Sequence, residues 1–214
     1  MWRRLLLRAS KRIGILRKSW RRISLISGRA IGLLREGLSL VDETRDPSLV
    51  YSAVHNQFLF LIDSGRYQEA RRFRFENSKT LMDSKGRINR TRFRWLEGRM
   101  DLGMGNYARA ELIFRNVADE MESIGRSYVS AVASLDLAVT LLAQGKSEEA
   151  KTVTLAASEV FQRLRVQREG LVALSMLHSA FKLGQATVKL LQDVRIFFER
   201  LENDPCSLFD VPLW

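Results

Sequence analysis

The chain has 214 residues, of which 46% are hydrophobic and 28% are charged, a composition typical of a globular protein with a substantial buried core. The formal charge of +11 is unevenly distributed along the chain. Residues 1–35 contain eleven Arg or Lys and no Asp or Glu, whereas residues 36–214 contain 24 Arg or Lys and 24 Asp or Glu. The body as a whole is therefore not basic, and binding to a phosphate backbone through net charge is expected only of the N-terminal segment. The single Cys206 excludes an intrachain disulfide and a metal site built from several cysteines of this chain.

The first 28 residues predict a basic amphipathic helix. Apolar residues from Trp2 to Ile23 recur mostly at steps of three and four, and arginines and lysines fall between them on the opposite face. No apolar run reaches the roughly 18 residues of a transmembrane helix. A secretory signal is not expected either, because no clean apolar segment ends in a small-residue cleavage site.

After residue 46 the chain predicts four pairs of helices. Asp46 and Pro47 suit the start of the first helix, as a cap and as a first helical residue. Asn203, Asp204 and Pro205 end the pattern and leave a short tail. The predicted helices span about residues 47–63 and 66–83, 89–102 and 107–124, 127–143 and 147–164, and 168–183 and 186–201.

Three short stretches mark a repeat with a stride of 40 residues. Gly65, Gly105 and Gly145 each end one helical pattern, and an alanine five residues later begins the next. The same stride extends back to residue 30, since the alanines of the series are Ala30, Ala70, Ala110 and Ala150. Pairs of helices with one apolar face bury it by stacking on their neighbours, so the repeat predicts an all-α solenoid.

The unit that begins near residue 91 resembles the tetratricopeptide repeat. The family has a small residue in the first helix, a glycine turn, an aromatic residue, an alanine and a later aromatic residue. The matching residues here are Gly98, Gly105, Tyr107, Ala110 and Phe114, with Ala138, Gly145 and Ala150 in the next unit and Gly65, Tyr67 and Ala70 in the previous one. Ser147 and Thr154 replace the two aromatics in the later unit, and Phe58 takes the small position in the earlier one.

This resemblance implies an α-solenoid of antiparallel helix pairs, with about four units over residues 29–202. The 40-residue unit is similar to a variant found in bacterial regulatory proteins. The first helix of the first repeat is expected to be missing, because the arginine-rich segment 1–28 occupies its place. Residues 203–214 are expected to form a C-terminal tail.

In a tetratricopeptide-like solenoid the first helix of each pair lines a concave groove, which the resemblance makes the expected site for a protein or peptide. Trp95 between two arginines could anchor a peptide, although packing between neighbouring repeats suits it equally well. The residues expected to face the groove are Ser52, His55, Leu59, Arg92, Trp95, Arg99, Leu102, Val132, Leu135 and Val139. For the last three, a buried face is the stronger alternative, because all are apolar.

Little in the sequence points to catalysis. His55 and His178 lie about three repeats apart, so we expect neither a metal site nor a catalytic dyad from them. Residues 103–108 fit a nucleotide-binding Gly-x-Gly-x-x-Ala pattern, but that pattern must follow a strand, and here it follows a predicted helix. Arg71, Arg72 and Arg74 are expected on the exposed side of a second helix, with a phosphate or carboxylate contact as the alternative.

The sequence thus predicts a non-catalytic, cytoplasmic scaffold without a cofactor, metal or small-molecule substrate. The alternative is a protein that associates with a membrane or a nucleic acid, and only through residues 1–28. Those residues have three interpretations: a membrane-surface or targeting helix, a segment that binds phosphates, or a remnant left by a changed start or reading frame.

Overall fold

The computed structural model describes residues 32, 36, 47–82, 86–166 and 168–203. Over these residues the chain is helical apart from short turns, and no strand occurs in them. The all-helical fold class is therefore confirmed. The predictions for residues 1–28 and for the tail beyond Asn203, including Cys206, lie outside the described residues.

Nine helices of the described part, one more than the sequence predicts, follow one another in the predicted order. Most of their bounds agree with the prediction to within about two residues. They are α1 (Pro47–Asp63), α2 (Tyr67–Glu76), α3 (Ser78–Met82), α4 (Arg87–Gly103), α5 (Tyr107–Ser123), α6 (Ser127–Ala143), α7 (Ser147–Arg163), α8 (Arg168–Lys182) and α9 (Val188–Asn203). None of these helices combines the length and the apolar character needed to cross a membrane.

One predicted helix is interrupted. The sequence predicts a single helix over residues 66–83, but Asn77 separates α2 from α3. The Asn77 side-chain amide donates a hydrogen bond to the Phe73 carbonyl at 2.9 Å, and the Asn77 backbone N–H donates to the same carbonyl at 3.0 Å. Asparagine side chains compete with the backbone in this way, and the helix bends where they do so.

Six turns between successive helices of the described part share one hydrogen-bonding pattern. After α4, the Gly105 N–H donates to the Leu102 carbonyl and the Asn106 N–H donates to the Asp101 carbonyl, at 3.1 and 2.8 Å. Gly105 has a φ of +81°, a left-handed conformation that glycine adopts without steric cost. Arg165 adopts the same region with a φ of +52°, and it is the one non-glycine residue of the described part to do so.

The chain divides into two compact units, and the division falls inside α4, between Leu96 and Glu97. In the first unit α1 packs against α2 and α3. Its core includes Phe58, whose ring centroid lies 5.8 Å from that of Phe93 in the N-terminal half of α4. Ala70 and Leu81 are fully buried in the same unit.

In the second unit α6 is the central helix. It packs against α5, α7 and α9, and every residue from Ala131 to Leu141 except Ser134 is buried. A helix that is apolar around its whole circumference is buried on all sides. The alanines Ala110, Ala138 and Ala150 are fully buried in this unit, where a small side chain lets helices approach closely.

Gly98 shows why one of these positions must be small. A Cβ atom at Gly98 would lie 2.7 Å from Phe114 Cε1 and 2.9 Å from Ile113 Cγ2. Phe114 is fully buried, so its ring has little room to move. The close contact between α4 and α5 therefore depends on the missing side chain.

Candidate binding surfaces

Five of the predicted groove residues lie in the first compact unit, on α1 and on the N-terminal half of α4. Ser52, His55 and Leu59 follow one another at steps of three and four along α1, which places them on one face. Arg92 and Trp95 are three residues apart on α4. All five are at least partly exposed to solvent. We call these five residues the α1–α4 surface.

Tyr51 joins the two helices beside this surface. Its hydroxyl donates a hydrogen bond to the Asn89 carbonyl of α4 at 3.0 Å and lies 3.4 Å from His55 Nδ1. The Tyr51 and His55 rings are also in contact, with centroids 5.6 Å apart. Sequence reasoning did not single out Tyr51, although its place four residues before His55 on a predicted helix was a usable signal.

The charge of Arg92 acts on His55. Burial, and after it the positive charge of Arg92, lower the pKa of His55 from 6.5 to about 4. His55 is therefore neutral at pH 7. The α1–α4 surface therefore presents a neutral imidazole beside an exposed guanidinium. The guanidinium of Arg92 carries the one formal charge among its five residues.

Acidification should weaken the fold through His55. The unfolded state takes up a proton near pH 6.5 and the folded state only near pH 4, so the free energy of unfolding falls as the pH drops between these values. Urea unfolding at pH 7 and at pH 4.5 measures this loss. His55→Gln should reduce it, whereas Ser52→Ala on the same helix face should leave it unchanged. Equal acid sensitivity of wild type and His55→Gln would contradict the assignment.

The groove residues predicted in the second unit do not form an open surface. Val132, Leu135 and Val139 are at most 1% exposed, because α6 lies between α5, α7 and α9. Their structural position is that of core residues. Arg99 is only partly exposed and pairs with Glu199 of α9 across 3.3 Å, while Leu102 remains half-buried.

A buried ion pair joins α9 to α6. Arg195 Nε lies 2.9 Å from Asp136 Oδ1, and both side chains are about 5% exposed or less. Arg195 Nη1 also donates to Glu199 Oε2 at 2.7 Å, and the Tyr128 hydroxyl donates to the Phe198 carbonyl at 2.7 Å. Partial burial by itself raises the pKa of the Glu199 carboxyl, but the nearby charges of Arg195 and Arg99 lower it on balance. Sequence reasoning missed this cluster, because Asp136 lies 59 residues before Arg195 and Tyr128 lies 70 residues before Phe198.

His178 and the glycine-rich residues 103–108, which were weighed for catalysis or nucleotide binding, make contacts typical of structural residues. His178 Nε2 lies 3.1 Å from the Ser158 hydroxyl. Burial of His178, and to a smaller extent the charge of Lys182, lowers the pKa of its imidazole. Residues 103–108 form the end of α4, a turn and the start of α5, where Asn106 Nδ2 donates to Asp101 Oδ1 at 3.1 Å. Within the described ranges, no group of three or more His, Cys, Asp or Glu side chains could hold a metal ion.

Comparison of the chain with protein-family models, curated proteins and solved structures finds no match. The surfaces of the chain itself are therefore the basis for assigning it a role.

Proposed function

We propose that this protein is a non-catalytic scaffold of tetratricopeptide type that binds a peptide segment of another protein on the α1–α4 surface. The observation that supports this most is the difference between the two sets of predicted groove residues. The set on α1 and α4 is at least partly exposed, and Tyr51 joins the two helices beside it, whereas Val132, Leu135 and Val139 are buried. Binding is thus assigned to the first compact unit.

The side chains of this surface suit a peptide with an apolar and an acidic residue. Trp95 supplies a large aromatic side chain, the type that contributes most often to binding energy at protein interfaces. Arg92 supplies an exposed guanidinium, which pairs with a carboxylate through two parallel hydrogen bonds. Since His55 is neutral at pH 7, Arg92 sets the electrostatic preference.

Selection from a random-peptide phage library on the purified full-length chain tests this proposal. Peptides that bind should be enriched in Asp or Glu beside an apolar residue. Trp95→Ala should weaken their binding by about 30-fold, the effect of losing a central aromatic contact of roughly 2 kcal/mol. Arg92→Glu, at an exposed position, should weaken binding to acidic peptides without affecting the fold.

Leu112→Ala is the matched control, because Leu112 is an exposed apolar residue of α5 in the second unit. It should leave peptide binding unchanged, and thermal melting should confirm that each variant is folded. If the selected peptides bind Trp95→Ala and Arg92→Glu as tightly as wild type, the α1–α4 surface is not the binding site.

A further inference from the structure

A second surface of the first unit combines an aromatic ring with two arginines. Phe75 of α2 is 80% exposed, and Arg71 and Arg72 are exposed four and three residues before it. At about 100° per residue, the Phe75 side chain projects between them, about 40° from Arg71 and 60° from Arg72 around the helix axis. We call these three residues the α2 surface.

The two guanidinium groups are available to a ligand. Neither Arg71 nor Arg72 makes an ion pair or hydrogen bond with another residue of the described part. Arg66, at the start of α2, differs because its Nε donates to Glu69 Oε1 at 2.7 Å. Glu76 is exposed four residues after Arg72, about 40° from it around the helix axis and on the side away from Phe75.

The charge of the surrounding chain favours an anionic ligand. Residues 47–96 contain ten Arg or Lys and four Asp or Glu, a net charge of +6, and eight of the ten bases are arginine. Residues 97–203 contain thirteen bases and fourteen acids, a net charge of −1. The charge balance of the body is therefore an average over a basic first unit and a nearly neutral second one. Positive charge concentrated in one unit attracts polyanions to it.

We infer that the α2 surface binds single-stranded nucleic acid, with Arg71 and Arg72 on consecutive phosphates and Phe75 stacked on a base. A guanidinium presents donors in a planar fork that matches a phosphate group. An exposed phenyl ring offers a flat face to a nucleobase, and base stacking of this kind tolerates any sequence. Binding without sequence preference is the expected mode.

Two other anionic partners fit the surface less well. A helix that lies on an anionic membrane needs a continuous apolar face, and Phe75 is the one large exposed apolar residue of α2. An acidic peptide would use the arginines, but a side chain that anchors a protein interface sits in a desolvated pocket. Phe75, at 80% exposure, has no pocket around it.

Fluorescence anisotropy with a labelled 20-nucleotide oligo-dT strand tests the inference on the full-length chain. Phe75→Ala should weaken binding about tenfold, the loss of one stacked base, and it should leave the salt dependence unchanged. The double variant Arg71→Gln/Arg72→Gln should reduce the slope of log K against log salt by about 1.4, since each phosphate contact contributes about 0.7 for a single strand. Residues 1–28 are unchanged in every variant, so a difference in binding from wild type reports on the α2 surface.

Two control variants lie in the second unit. Leu112→Ala matches Phe75→Ala as the loss of an exposed apolar side chain, and Arg163→Gln matches the loss of an exposed arginine. Leu112→Ala should leave the binding of oligo-dT unchanged. Arg163→Gln should change it only by the general effect of removing one positive charge. Equal binding by wild type and Phe75→Ala would overturn the inference. So would a Phe75-dependent interaction with poly-glutamate or phosphatidylserine vesicles in the absence of oligo-dT binding.

The outcome is independent of the peptide proposal. Phe75→Ala should leave binding of selected peptides unchanged, and Trp95→Ala should leave binding of oligo-dT unchanged. Either site can therefore fail without the other.

Discussion

Phe198→Ala is expected to lower the free energy of unfolding by about 3–5 kcal/mol, the usual cost of removing a buried phenyl group and leaving a cavity. Phe198 is fully buried in α9, and its ring stacks on that of Phe161 in α7 with centroids 4.0 Å apart. Gly170 of α8 also lies close, since a Cβ atom there would be 3.3 Å from the Phe198 ring. Three helices therefore meet at the Phe198 side chain. Equilibrium urea unfolding measures the decrease in the free energy of unfolding.

Phe75→Ala provides the matched control for this prediction. It removes the same side chain from a position that is 80% exposed, so its effect on stability should stay within about 0.5 kcal/mol. Similar effects of the two substitutions would mean that α9 does not pack against α7 and α8 as described.

Asp136→Ala is expected to destabilise the protein by about 3 kcal/mol. Removing one partner of a buried ion pair leaves the other charge without compensation, at a cost of about 3–5 kcal/mol. The lower end applies here because Glu199 remains beside the Arg195 guanidinium. Chemical denaturation at pH 7 gives the value.

The double variant Asp136→Leu/Arg195→Met tests the reason for that loss. Replacing both charges by apolar side chains of similar size is expected to be neutral or stabilising, because the desolvation cost of the pair disappears. If the double variant is as unstable as Asp136→Ala, the loss arises from packing rather than from an unpaired charge. A change of less than about 1 kcal/mol in Asp136→Ala would show that the pair is not buried in solution.

Local structure was readable from the sequence because its determinants are local. Pro47 begins α1 as predicted, and the glycine turns at Gly65, Gly105 and Gly145 follow their helices as expected. Apolar periodicity and left-handed turn glycines act within a few residues of chain. The interruption at Asn77 was missed because a side-chain hydrogen bond to Phe73 competes with a strong helical pattern.

The candidate surfaces were only partly predictable. Val132 and Arg92 have equivalent places in the repeat, yet Val132 is buried in the second unit and Arg92 is exposed in the first. A repeat pattern states which side of a helix is apolar, but not which element covers that side. Val132 is buried because α6 lies between α5, α7 and α9.

By itself, the sequence determined the all-helical class, the order of the helices and the turns between them, since hydrophobic period and turn chemistry act over short distances. It also determined how charge is distributed along the chain, including the net charge of +6 on residues 47–96. Only the tertiary structure decided which faces are covered, that Arg195 meets Asp136 in the core, and that Phe75 stays in solvent. These outcomes depend on contacts between residues far apart in the chain, and short-range patterns carry no information on such contacts.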